Sequence, residues 1–381
     1  AGNLEKSDRT LLKDYLGAEK VKGKLTGVED TRANDCDVTL IRKQIAVKPT
    51  SGSNNNTIVI NLGDYADRTV GELTKLIGNE MTFYYKQGDS EDDKELKILD
   101  AETTKNSTIT VSEKNFISYE SGAFRYWENN NRKSLKIKSD ATVLYNGQAV
   151  SSSDLPMTFK SRYTANESKT ASTIEELLSI WIGSDEAYNI RGEVTFTDAG
   201  DDGNVDIISI NDYKTMLAYK APTTSDYRLQ NKLKTGDSLD LSPNKVDTKI
   251  YIEKDGKEIE ATAIRANDVV SYTESLDGSI LNLYVVNKTV TGNVNSLNTS
   301  DKTITIANTE YDLGEDCLKY IQEKEGRELT TGVSGTFYLD KLGAVVYGTL
   351  KDVAANPYAY ITGVTEDLDE STAYVTAFIP S

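Results

Sequence analysis

One pattern recurs in fixed order along this 381-residue chain and limits the architectures open to it. From Val21 the residues read Val-Lys-Gly-Lys-Leu, then Thr57-Ile58-Val59-Ile60, Tyr65, a helical stretch ending at Gly78, Thr82-Phe83-Tyr84 and Leu96-Lys97-Ile98. From Val290 they read Val-Thr-Gly-Asn-Val, then Thr303-Ile304-Thr305-Ile306, Tyr311, a helical stretch ending at Gly326, Thr336-Phe337-Tyr338 and Ala344-Val345-Val346. In both copies the tyrosine follows the Thr-Ile-x-Ile run by the same offset. Self-similarity on this scale predicts a series of like modules rather than one large globule. A third copy begins at Tyr360-Ile361-Thr362-Gly363-Val364.

Between these motifs, short runs alternate apolar and polar residues, the period of a half-buried strand. Asn146-Gly147, Asp255-Gly256 and Asp277-Gly278 supply hairpin turns. Thr69 with Glu72, and Thr173 with Glu176, have capping-box spacing and open short helices. Further helices are expected over 7–16 and 315–325. The expected fold class is mainly β, with several small β-barrel or β-meander modules in a row and a few short helices. The expected segments are 1–16, an N-terminal helix and linker; 17–104, a β module with a capped helix; and 105–172, a β-meander module and linker. They continue with 173–222, a helix plus acidic hairpin; 223–289, a β module; 290–355, the second copy of the repeat; and 356–381, the start of a further, truncated module. The polar stretch 151–172 reads as a loop.

Composition removes whole classes of chemistry. The chain has no histidine, which excludes Ser-His-Asp and Cys-His nucleophiles, His-ligated zinc and haem held by a proximal His. A formal charge of −17 repels a phosphate backbone, so no nucleic acid partner is expected. The two cysteines, Cys36 and Cys317, form no metal knuckle or disulfide framework and read as buried thiols. No apolar run approaches the roughly 18 residues of a membrane span, and the opening residues lack a signal peptide's apolar core. Neither phosphate-binding glycine motif occurs, and no carboxylate stands in an apolar run as a glycosidase acid would. The chain is therefore read as no enzyme.

The stretch TDAGDDGNVDIIS most resembles a ligand loop. Counting Asp198 as position one, Asp202 and Asp206 fall at five and nine, with Gly203 at six for the sharp turn, as in a calcium loop. Position three is Gly200 and position twelve is Ser209, so the match is partial. A plain acidic hairpin is the competing reading. Calcium held by Asp198, Asp202 and Asp206 is the cofactor expected here. The acidic run at 89–93 reads as a solvated hairpin tip, and its counterpart in the second copy is Asp340-Lys341-Leu342-Gly343. Tyr84-Tyr85 and the group Tyr119, Phe124, Tyr126 and Trp127 are candidates for stacking on sugar rings, with core packing as the alternative.

The stretches RGEVTFTDAGDDGNVDIISINDY, IYIEKDGKEIEATAIRANDVVSYTESLDGSILNLYVVNKTVTGNV and TITIANTEYDLGED resemble the β-rich region of Clostridia-type surface-layer (S-layer) homology proteins, best over 191–347. The helical anchoring modules of that family do not occur in this chain. The resemblance implies only an outward-projecting structural role at the bacterial cell surface; the partners expected for such a segment are copies of itself and, on the binding-module reading, cell-wall or surface glycans. Few Met and Cys residues suit an oxidising exterior. An adhesin or glycan-binding module, and a phage tail or fibre component, are the other readings.

Overall fold

The computed structural model describes residues 12–14, 16–33, 35–50, 56–63, 66–88, 96–103, 106–199, 202–245, 248–351, 360–367 and 372–378. The chain is mainly β, as expected. It divides into two compact units. One comprises Ala1–Lys214, Leu241–Ala261 and Tyr272–Tyr284, and the other Thr215–Asp240, Thr262–Ser271 and Val285–Ser381.

The first unit opens with five strands, Glu19–Val28, Gln44–Pro49, Ile58–Leu62, Glu80–Gln87 and Leu96–Thr103. The first pairs with the second and the fourth, the second with the third, and the fourth with the fifth, all antiparallel. The third and fifth run parallel, with Leu62 opposite Ile98, which closes the sheet into a barrel. A parallel pair cannot be joined by a hairpin, and the short helix Val70–Thr74 lies on the connection between the third and fourth strands. Leu25, Ile45, Val47, Ile60, Leu73, Met81 and Phe83 fill the interior and are wholly buried. This strand order is that of the OB-fold, a five-stranded Greek-key barrel.

The same order recurs in the same unit. Asn106–Ser112 passes through a 3-10 turn, Glu113–Asn115, into Phe116–Glu120, and together they form a kinked first strand. Ala123–Glu128, Asn131–Tyr145, the helix Ile174–Trp181, Gly192–Ala199 and Val205–Asp212 follow. Asn106–Ser112 pairs with the fourth strand, Phe116–Glu120 with the second, and the third runs parallel to the fifth, with Ile137 opposite Val205. The second unit repeats it with Thr289–Asn298, Thr303–Ile306, Thr309–Asp312, the helix Cys317–Glu325, Ser334–Leu339 and Val345–Leu350. There, Leu313 meets Val345 in the parallel sense.

The three barrels agree in register as well as order. Val21 faces Phe83, Ile109 faces Phe196 and Val290 faces Phe337, each pairing the first strand with a buried phenylalanine of the fourth. The first strand bulges between Leu25 and Gly27, between Phe116 and Ser118, and between Val294 and Ser296, against equivalent residues of the second strand. The residue opening the second strand is left-handed in each: Lys43 at φ 59°, Gly122 at 70° and Lys302 at 52°. Its carbonyl accepts the N–H of Leu62, Ile137 or Leu313, at 2.7, 2.8 and 2.7 Å. The strands Tyr360–Asp367 and Thr372–Phe378 form an antiparallel hairpin with a one-residue bulge between Ile361 and Gly363.

In the first unit, Lys249–Lys254 also pairs antiparallel with Lys257–Glu258. Arg228–Gln230 pairs with Ser238–Asp240.

Several expectations are corrected. The expected boundary at 172 falls inside one barrel, which runs from 106 to 212, because the strands after the helix pair with those before it. The stretch 151–172 is not a plain loop, since Met157–Lys160 and Ser168–Ala171 form a hairpin. The two Thr-Ile-x-Ile runs are not equivalent, because Ile58–Leu62 is a third strand and Thr303–Ile306 a second. Gly78 does not end its helix, which stops at Thr74 with Lys75 as its C-cap. Its counterpart is Gly332, since Gly78 N–H donates to Leu25 O and Gly332 N–H to Val294 O, both at 2.8 Å. Cys317 is buried, but Cys36 is only half-buried. Tyr65, the run 89–93 and most of 7–16 lie outside the described residues.

Gly78 and Gly332 share a left-handed backbone, φ 90° and 88°. A Cβ at 78 would lie 2.0 Å from Ile207 Cγ1, whereas at 332 it would meet nothing within 4 Å. Gly332→Ala is therefore expected to cost about 1–2 kcal/mol of backbone strain, and Gly78→Ala roughly 1–3 kcal/mol more for the collision, as measured by urea denaturation. Equal losses would show that the two sites are not packed differently.

Candidate functional site

Asp198 lies next to last in the fourth strand of the second barrel and Asp206 lies in the fifth, so the turn between those strands gathers the three expected ligands. Gly200 and Asp201 lie outside the described residues. Gly203 has the positive φ, 85°, that a sharp turn needs. The parallel pairing of Ile137 with Val205 brings the third strand alongside. Because side chains alternate along a strand, the buried Ile137 places Lys138 on the outside, next to the turn. Its ammonium lies 2.7 Å from Asp206 Oδ1 and 2.9 Å from Asp202 Oδ2.

Every carboxylate oxygen of the three aspartates accepts a protein donor. Asp198 takes the N–H groups of Asp202 and Gly203 at 2.9 and 2.7 Å. Asp206 Oδ2 takes Ala199 N–H at 2.9 Å, and Asp202 Oδ1 takes Asn204 N–H at 3.0 Å. The Lys138 hydrogen bond and the Asn204 donors hold the Asp202 carboxyl below the usual range, and Asp206 raises the Lys138 ammonium above its own. A lysine ammonium thus stands where a cation bridging Asp202 and Asp206 would sit. Among the described residues, no group of three or more acidic or cysteine side chains has the arrangement of a metal site.

The aromatic candidates separate. Tyr84, Tyr85, Tyr119, Phe124 and Tyr126 are buried, and Phe124 stacks on Phe196 and Tyr126 at 4.7 and 5.7 Å between centroids. Trp127 alone of that group stands out, 47% exposed.

A shallow cleft in the first unit is lined by Thr69, Glu72, Lys75, Tyr251, Glu253 and Tyr284 among others. Glu72, Lys75 and Glu253 are engaged with neighbours. Glu72 closes the capping box on Thr69, whose N–H holds its carboxyl below the usual range. Lys75 donates to Glu253 at 2.8 Å and lies 5.4 Å from the centre of the Tyr284 ring.

Two half-buried carboxyls have pKa values the sequence reading did not anticipate, Glu113, which it did not single out, and Asp340, which it named only as part of a turn. Burial pushes the Glu113 carboxyl up, against the pull of Arg191 and Arg162. Nearby, Tyr145 donates to Asp212 at 2.8 Å, and Asp212 also accepts Arg191 N–H at 2.8 Å. These residues come from separate segments, and no local spacing announces them. Asp340, in the turn between the fourth and fifth strands of the third barrel, accepts the N–H groups of Leu342 and Ala344 at 2.9 and 2.8 Å. Burial nevertheless pushes its carboxyl up to about 6.

No protein-family model matches the chain, and no curated protein sequence matches it.

Lys138 generates one prediction. Millimolar calcium is expected to leave the melting temperature of the parent protein unchanged and to raise that of Lys138→Met, whose freed carboxylates then face a vacant position. Scanning fluorimetry with calcium and with chelator checks this, and a calcium shift in the parent protein that the substitution abolishes would reverse it. Asp340 generates another. Its folded pKa lies above the unfolded value of about 3.9, so its contribution to stability is complete below that value and is lost as pH rises through about 6. Asp340→Asn keeps the acceptor oxygen and is expected to gain stability relative to the parent between pH 4 and pH 7. A difference between the two proteins that stays flat across those pH values would refute it.

Proposed function

We propose that this chain is a structural, non-catalytic segment of a bacterial cell-surface protein, carrying OB-type barrels in tandem along its sequence and associating with copies of itself. The observation that carries this reading is the repetition of one closed barrel with the same registers, bulges and closing bond. A repeated frame of this kind suits a role in holding form, since each copy is built around a buried core, the first barrel's also taking in Leu144 and Ile207 of the second. The fold by itself names no activity. The S-layer resemblance and the scarcity of Met and Cys, 3 and 2 residues, support an exterior location. A net charge of −17 opposes indiscriminate aggregation. Calcium enters this reading only by displacing the Lys138 ammonium from Asp202 and Asp206. Among the described residues no helix is long and apolar enough to cross a membrane.

A glycan-binding role is the second reading, favoured by the exposed Trp127, which lies directly across from Arg132. Protease shaving of intact source cells is expected to release peptides of this chain, and antibody is expected to label the cell exterior. Recovery of the protein solely from the cytosol after lysis would overturn the surface assignment.

A further inference from the structure

The registers make one outer face comparable across the barrels. In the second barrel, Phe124, Tyr126, Leu135 and Ile137 point inward, so Arg125 and Trp127 of the second strand and Arg132, Ser134 and Lys136 of the third point outward. Arg132, Ser134 and Lys136 are exposed. Arg125 lies 3.3 Å from Ser118 Oγ and 3.5 Å from Glu120. Cations are thus gathered around an exposed tryptophan on a strongly acidic protein.

In the third barrel the buried Ile304 and Ile306 turn Thr303 and Thr305 outward, with Asp312 and Glu310 directly across from them. Asp312 occupies the register position of Lys136, and Glu310 that of Ser134. Both acidic residues are exposed. In the first barrel the corresponding residue to Arg125 is Ala46, which is wholly buried, so that face is covered. Two equivalent outer faces therefore remain exposed, one basic and one acidic, on strand pairs of the same register.

We infer that these faces are a docking pair: the Arg125, Trp127, Arg132 and Lys136 face of one copy seats on the Glu310 and Asp312 face of a second copy. Opposite charges on the two faces supply the complementarity, and the exposed indole supplies apolar area at the centre of the contact. Since each chain carries both faces, the contact is heterologous and propagates from copy to copy. Long-range repulsion between chains of charge −17 opposes it, so the attraction acts only at close range and weakens with salt. This inference rests on the self-associating reading above and names its surface.

Sedimentation of the full chain over a range of concentrations tests it. The weight-average mass is expected to rise with concentration at low salt and to fall to that of one chain at high salt. Arg125→Glu/Arg132→Glu/Lys136→Glu makes both faces acidic, and Glu310→Lys/Asp312→Lys makes both basic. Each variant alone is expected to remain monomeric, and an equimolar mixture to recover association, with unchanged melting curves showing that both are folded. A monomeric parent protein, association that survives in either variant alone, or a mixture of folded variants that stays monomeric would overturn the proposal. If a variant fails to fold, single Lys136→Glu and Asp312→Lys proteins replace it, and each is expected to show weakened association. A soluble polyuronate that quenches Trp127 fluorescence while the copies stay apart would assign the basic face to an anionic glycan instead. Surface shaving is read independently, so a failure of docking is distinguishable from a failure of the cell-surface assignment.

Discussion

Closure of the third strand onto the fifth is the contact on which each barrel depends. Without it, five short strands form an open sheet with two exposed edges, and such edges recruit other strands. The contact is parallel and distant in sequence, and it comes late in each module. Its geometry is prepared locally by a left-handed residue at the start of the second strand, Lys43, Gly122 or Lys302, whose carbonyl accepts an N–H from Leu62, Ile137 or Leu313 of the third-strand segment. Glycine adopts this conformation at no steric cost, whereas lysine pays roughly 1–2 kcal/mol for it. That a lysine occupies it twice shows how strongly the surrounding sheet imposes the bend. The first-strand bulge adds the local twist that a five-stranded closure needs.

Given that frame, the inward positions are constrained and the outward ones are open to use. Glu29, Glu120 and Asn298 hold the same register position just past the bulge, yet they serve differently. Glu29 is 4% exposed and accepts Lys43 N–H at 2.8 Å, the Lys249 ammonium at 3.1 Å and the Tyr251 hydroxyl. A buried carboxylate is tolerable only with such a full set of donors. It fastens the strand Lys249–Lys254 onto the first barrel, and burial together with Glu29 pushes the Tyr251 hydroxyl above its ordinary range. Glu120 at the equivalent place is exposed and meets Arg125. The same frame position thus serves as a buried fastening in one barrel and as open surface in another.

The amino-acid pattern shows the strands and their turns, because alternation and Asn-Gly or Asp-Gly pairs are local. It also shows the pairing of Val-x-Gly with Thr-Phe-Tyr in the first and third barrels, where both partners repeat. The second barrel was hidden by its kink. Glu113–Asn115 splits the first strand, so Ile109-Thr110-Val111 and Thr195-Phe196 look like parts of different modules although they pair as Val290-Thr291-Gly292 does with Gly335-Thr336-Phe337. In both barrels the facing threonine hydroxyls lie 3.0 Å apart. The Thr-Ile-x-Ile runs mislead for the opposite reason, since any strand with one buried face produces that pattern. The acidic turn was legible as a cluster but not as a balanced one. Lys138 lies 60 residues before Asp198 in sequence, and only the parallel pairing brings it there.

The position shared by Ala46, Arg125 and Thr305 shows where individuality in such a chain resides. All three project from the second strand, one residue on from the wholly buried or nearly buried Ile45, Phe124 and Ile304. Replacing any of those inner residues disturbs a core and a closing contact together. Replacing the outer ones alters only what the face can meet. Ala46 is small and covered, Arg125 is charged beside an exposed indole, and Thr305 accepts the Ser296 hydroxyl at 2.8 Å. A repeated barrel built this way separates the demands of folding from those of recognition. Identical folding rules can therefore coexist in one chain with faces of opposite charge.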